Sequence, residues 1–137
     1  MVEWRTVRYQ TGGLMLLASL LLMPPLCGLM FDCGCTWPWE GLDGHCNIHD
    51  STALQQCPWC VSLLAGVVSV SLAVLCGVLL SMSVPEASIN GRYALALDAA
   101  KKISLGLLGF VFVALFTGYL SAYFQAYPYF ILLQTWP

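Results

Sequence analysis

From Thr11 to Phe31 the chain carries no charged residue, and the middle of this run, LMLLASLLLM, is almost wholly aliphatic. A helix needs about 20 apolar residues to cross the hydrocarbon core of a bilayer. The run therefore predicts a first span over 11–31. Pro24 and Pro25 remove two backbone donors and predict a kink or break near its far end. A second uncharged run, Val61 to Val84, contains no proline and predicts a span over 61–84. The third uncharged stretch starts at Ile103 and continues to Pro137, too long for one crossing. Pro128 divides it into a span over 103–125 and an interfacial tail over 126–137. The pattern predicts an all-α integral membrane protein, one membrane domain of three transmembrane helices. A loop over 31–60 joins the first two spans, and a loop over 85–102 joins the last two. Within the second loop, ALALDAAKK favours helix and is expected to extend the third span, while Glu86 and Asp98 are expected to be solvated.

Composition supports the same class. The chain is 59% hydrophobic and 9% charged, against about 25% charged in a typical soluble domain. So few charges cannot cover a water-facing surface, so membrane lipid and other transmembrane subunits are the expected partners. A net charge of -2 provides no basic field, which argues against nucleic acid. The predicted spans hold no ionisable residue of the kind that marks a conduit or an intramembrane active site. They do hold Gly66, Gly77, Gly106, Gly109 and Gly118, small residues that let helices approach closely. Span three is expected to pack on span two through them.

Charge also sets the expected orientation. All five basic residues lie before span one (Arg5, Arg8) or between spans two and three (Arg92, Lys101, Lys102). The loop over 31–60 has Asp32, Glu40, Asp43 and Asp50 and no Lys or Arg. The positive-inside rule then places the N-terminus inside, the C-terminus outside and the 31–60 loop outside. In a bacterial inner membrane that loop is periplasmic. Trp37, Trp39, Trp59, Tyr123, Tyr127, Tyr129 and Trp136 gather at the outer interface, where amphipathic rings sit. Arg5 and Arg8 before an apolar run also have the layout of a signal peptide. No small-x-small site follows, and Pro24-Pro25 precede Leu26-Cys27 where lipoprotein processing needs small residues. The first span is therefore expected to stay as an anchor.

The outer loop, FDCGCTWPWEGLDGHCNIHDSTALQQCPWC, carries both histidines and five of the seven cysteines, with Cys27 about one helical turn before it. Cys76 stands apart, roughly 24 Å deeper along span two at 1.5 Å per residue, and is expected as a small buried apolar residue. Three chemistries fit the loop. In an oxidising compartment Cys27, Cys33, Cys35, Cys46, Cys57 and Cys60 tend to pair, and disulfides would staple a segment too polar to order itself. Alternatively, His45-Cys46-x-x-His49 with Cys33-x-Cys35 and Cys57-x-x-Cys60 presents sulfur and imidazole, a donor set that suits zinc or copper. Asp32 and Asp50 would orient the imidazoles. The third chemistry is thiol–disulfide exchange at Cys57-Pro58-Trp59-Cys60, where a helix start favours the thiolate and proline suits the first turn.

At this motif the chain resembles the disulfide bond formation protein B family of bacterial membrane thiol oxidoreductases, over its three spans and Cys57 and Cys60. The resemblance implies catalytic cysteines at 57 and 60 and quinone as electron acceptor. The family carries a further cysteine pair on a second outer loop, a place that Cys33 with Cys35 or Cys46 would have to take here. The arginine that usually follows the family's motif is not present, since the chain continues Val61-Ser62-Leu63.

With no conduit and no complete catalytic constellation, the sequence points to a small non-catalytic accessory or assembly subunit of a larger respiratory or metal-dependent membrane complex. Its stapled periplasmic loop would dock through Trp37, Trp39 and Trp59, side chains enriched at interface anchors. Two alternatives stay open. One is a periplasm-facing zinc or copper binding or delivery protein using Cys33, Cys35, His45, Cys46 and His49. The other is a membrane thiol-disulfide oxidoreductase using Cys57 and Cys60.

Overall fold

The computed structural model describes residues 2–85 and 92–131, with side chains from residue 9 in the first helix and from residue 96 in the last. The elements are α1 (Val2–Phe31), α2 (Pro58–Val61), α3 (Leu63–Ser83) and α4 (Arg92–Phe124), with single 3-10 turns at Pro38–Glu40 and Asn47–His49. There is no strand among the described residues. Three helical stretches are long and apolar enough to cross a membrane: Tyr9–Phe31, Leu63–Ser83 and Ala96–Phe124.

The expected kink or break at Pro24-Pro25 does not end α1, which stays helical through both prolines to Phe31. Packing accounts for this. Met15, Ser19, Met23, Cys27 and Met30 are buried three or four residues apart on both sides of the prolines, so one face is held against α3 and α4 throughout. The span expected from Val61 is instead divided. Ser62 interrupts the helix with φ -103° and ψ 93°, and its Oγ caps α3 by accepting from the Ala65 amide at 3.3 Å.

The buried face of α3 is Gly66, Ser69, Ala73, Gly77 and Ser81, and that of α4 includes Gly106, Phe110, Ala114, Gly118 and Ala122. Small residues meet at the crossing. A Cβ on Gly77 would stand 3.0 Å from the Gly106 carbonyl oxygen, and one on Gly106 would stand 2.7 Å from that of Gly77. The glycine packing expected between spans two and three is thus a backbone-to-backbone approach at Gly77 and Gly106, with Gly109 against Leu80. Gly66 instead faces Trp59, and Gly118 faces Met30, Phe31 and Phe130. The opposite faces expose aliphatic and aromatic side chains, among them Leu17, Leu64, Leu79, Leu108 and Phe112. A surface of this kind suits lipid.

ALALDAAKK does form the start of α4. Asp98, expected to be solvated, instead lies 2.7 Å from Lys102 Nζ one turn on, and Lys102 is only 4% exposed. The local i,i+4 geometry brings the charges together. Glu86 lies outside the described residues.

α4 ends at Phe124 and is stopped by Ala126, whose φ of 50° is left-handed, while the Tyr127 amide reaches back to the Ala122 carbonyl at 2.8 Å. This Schellman-type stop turns the chain back into the protein. Tyr127 and Phe130 are buried, and the Ile131 amide bonds to the Met30 carbonyl at 2.9 Å. As far as Ile131, the segment expected as an interfacial tail therefore closes over the end of α1. Trp136 lies outside the described residues.

Candidate metal centre

The loop closes over the same end of the bundle as this returning segment. Phe31 is the floor, its ring edge-on to Trp59 at 5.1 Å and Tyr127 at 5.9 Å and tilted against Phe130 at 5.5 Å. Above it the chain leaves α1 through Asp32, with φ 49°, and runs back as extended backbone. That path needs glycine twice. A Cβ on Gly28 would overlap the Cys35 carbonyl oxygen, and Gly34 adopts φ +82° with its α-carbon against the His45 carbonyl. Two side-chain bonds fix α2 to α4: Trp59 Nε1 donates to Ser121 Oγ at 3.1 Å, and Gln125 Nε2 donates to the Pro58 carbonyl at 3.1 Å.

Asn47 ties the loop together. Its amide donates to the Cys33 carbonyl at 2.6 Å, and its Oδ1 accepts from the Cys57 amide at 2.8 Å. Its Nδ2 donates to the Gln55 carbonyl and to Tyr127 Oη, each at 3.0 Å. Tyr127 in turn donates to the Phe31 carbonyl at 2.6 Å. Tyr127 was expected as a ring at the outer interface and not as part of the site, and Asn47 was not expected to organise the loop. An Asn beside Cys46 gives a weak cue of its own, because side-chain amides commonly satisfy loop backbone.

The result is a cluster of six thiols from four separate stretches of chain. Cys27 comes from the last turns of α1, Cys33 and Cys35 from the extended return, Cys46 from the start of the Asn47–His49 turn, and Cys57 and Cys60 from α2. Sγ–Sγ distances are 3.4 Å for Cys33–Cys35, 3.7 Å for Cys46–Cys60, and 3.9 Å for both Cys27–Cys33 and Cys27–Cys57. Three triads have every sulfur within 4.8 Å of the others: Cys27/Cys33/Cys57, Cys33/Cys35/Cys46 and Cys46/Cys57/Cys60. Cys33, Cys46 and Cys57 are at most 1% exposed. Cys35 and Cys60 are half-buried and, with Cys27, line a cavity of about 410 Å³.

The thiols are electrostatically unequal. Hydrogen bonding from Cys27 is the main cause holding Cys57, Cys33 and Cys35 below the ordinary thiol range. Cys60 is raised, chiefly by its hydrogen bond with Cys35, and burial pushes Cys46 up to about 12.

All seven cysteines are free, so the expected disulfide staples are not formed. The loop is instead ordered by Asn47, by the aromatic floor and by the close glycine contacts. Cys76 sits apart within α3, near Leu80 and the Gly109 position. Of the residues expected as metal ligands, Cys33, Cys35 and Cys46 join the cluster, together with Cys27, Cys57 and Cys60. His45 and His49 do not belong to any of the triads. Both are exposed, and His49 Nε2 stands 4.0 Å from an Asp43 carboxylate oxygen. The Cys57–Cys60 motif does open a helix, with Cys57 as its N-cap and Pro58 in the first turn. No protein-family model, curated protein or solved structure matches the chain.

Proposed function

We propose that the chain is a membrane-anchored metal-binding or delivery protein that holds soft metal ions in its six-cysteine cluster on the periplasmic face of a bacterial inner membrane. One observation carries this reading: six free sulfurs lie together, with neighbours 3.4–3.9 Å apart. At a metal–sulfur length of about 2.3 Å, sulfurs sharing one ion stand about 3.8–4.0 Å apart. Sulfur-only donor sets select zinc and Cu(I) over hard cations. The outward placement rests on the unanimous distribution of Lys and Arg.

Burial weighs against a thiol oxidoreductase that uses Cys57 for attack. A thiolate that exchanges with a partner must be reachable, and Cys57 is fully covered. A docking role for the same loop is favoured by Trp39, which is exposed and stacked on Trp37 at 5.0 Å. Delivery to a partner complex would use both features.

The test is thiol counting together with metal analysis on one purified sample. The reading expects reduced cluster thiols with bound zinc or copper, and metal content unchanged in a His45→Ala, His49→Ala double variant. Loop cysteines fully paired and without metal would overturn it. A reporter fused after His45 that proves active only in the cytoplasm would overturn the periplasmic placement.

A further inference from the structure

The metal reading leaves open which ion the cluster takes and how many, and the way the sulfurs are shared bears on both. The three triads meet at corners: Cys33 is common to the first and second, Cys46 to the second and third, and Cys57 to the first and third. Cys27, Cys35 and Cys60 each complete one triad. Burial follows the same division. The three shared cysteines are at most 1% exposed. The unshared cysteine of every triad, Cys27, Cys35 or Cys60, lines the cavity of about 410 Å³. Each triad thus has two sulfurs in a closed layer and one beside a space that can admit a further ligand.

One ion per triad, with each shared thiolate bridging two ions, uses every sulfur and gives each ion three. Charge selects the ion. Six thiolates carry six negative charges, and the 31–60 loop has no Lys or Arg to offset them. Buried charge without a partner is expensive. Three monovalent ions would leave half of it uncompensated, whereas three divalent ions cancel it. Among divalent ions an all-thiolate donor set suits zinc, and zinc held by three protein ligands keeps a fourth position open. We propose that the cluster is a trinuclear zinc–thiolate site, with Cys33, Cys46 and Cys57 bridging and Cys27, Cys35 and Cys60 terminal. This rests on the metal reading above. Binding is ligand exchange with no change of oxidation state: six thiols release six protons as three Zn(II) ions enter, and the product is neutral. The cavity along the terminal sulfurs gives a fourth ligand, water or a donor from a recipient, room to reach each ion. Delivery requires that step.

The full chain in detergent micelles, reduced and stripped of metal, is titrated with zinc under anaerobic conditions and weighed by native mass spectrometry. The expected gain is three zinc ions less six protons. X-ray absorption should show three sulfur neighbours and one lighter neighbour per zinc, with a Zn–Zn scattering path. Cys35→Ser, which breaks one triad, should hold two ions, Cys46→Ser, which breaks two, should hold one, and Cys76→Ser should still hold three. One or two ions per chain with four sulfur neighbours and no Zn–Zn path would overturn the trinuclear site and leave metal binding standing. Equal losses in Cys35→Ser and Cys46→Ser would overturn the division into bridging and terminal sulfurs. Cu(I) bound where zinc is not would overturn the choice of ion alone. No zinc or copper bound by fully reduced chain would overturn this proposal and the metal reading together.

Discussion

Replacing Asn47 by alanine tests whether one side chain holds the thiol cluster shut. Four side-chain contacts are lost, the weakest being the 3.9 Å one from the Cys46 thiol. The bond to the Gln55 carbonyl is exposed, so water replaces it at little cost. The bond to Tyr127 Oη is partly buried and is worth about 0.5–1.5 kcal/mol. The largest effect falls on the Cys57 amide, which loses its acceptor beside a fully buried residue, and an orphaned buried donor costs about 1–3 kcal/mol. Together these destabilise the closed loop by about 3 kcal/mol, roughly a hundredfold in the opening equilibrium. Alkylation of the reduced, metal-free chain reads that equilibrium site by site, because Cys33, Cys46 and Cys57 react only when the loop opens. Cys57 modification should accelerate about a hundredfold, while half-buried Cys35 and Cys60 change far less. A rise of less than about threefold at Cys57 would show that Asn47 does not control closure. An equal rise at Cys76 would place the damage in the helices and refute the reasoning another way.

Other positions test the bundle. Gly106→Val should destabilise it by more than about 2 kcal/mol, because the new Cβ would meet the Gly77 carbonyl at 2.7 Å, while Gly13→Ala, with open space around it, should be nearly neutral; denaturant titration in micelles compares them. Lys102→Leu should be destabilising in the same titration, because it removes the covered ammonium 2.7 Å from Asp98, and adding Asp98→Leu should recover part of that loss. Ala126→Gly should raise the melting temperature, since it relieves about 1 kcal/mol of left-handed backbone at the α4 stop.

The three spans were legible because a stretch without charge is a one-dimensional signal, and each long apolar run does become a helix. Their ends were less so. The break expected at Pro24-Pro25 was a local inference, overridden by an inward face that packs continuously from Met15 to Met30. The break that does occur, at Ser62, follows from a capping hydroxyl whose effect depends on α2 being pinned to α4 by Trp59 and Gln125. The Asp98–Lys102 pair was visible as i,i+4 spacing, but the cover over Lys102 was not.

The site shows the same division more sharply. Proximity in sequence suggested His45, Cys46 and His49 as one ligand group, yet Cys46 sits in extended backbone, φ -62° and ψ 139°, where adjacent side chains point to opposite sides. Its thiol turns inward, and the His45 ring stays outside. The 3-10 turn that follows carries Asn47 toward Cys57 and Tyr127 and leaves His49 in solvent beside Asp43. Conversely, Cys27 belongs to the cluster although it precedes the loop, because it continues the stripe of Met15, Ser19 and Met23 along the buried face of α1. Thiols gather where imidazoles do not for a physical reason. A cysteine is small and nearly apolar, so it can enter the packed space above Phe31 and Trp59 without a hydrogen-bonding partner, whereas an imidazole carried there would need one. The fold therefore concentrates sulfur and leaves nitrogen out, and under the proposed metal reading this sorting favours ions that prefer sulfur alone.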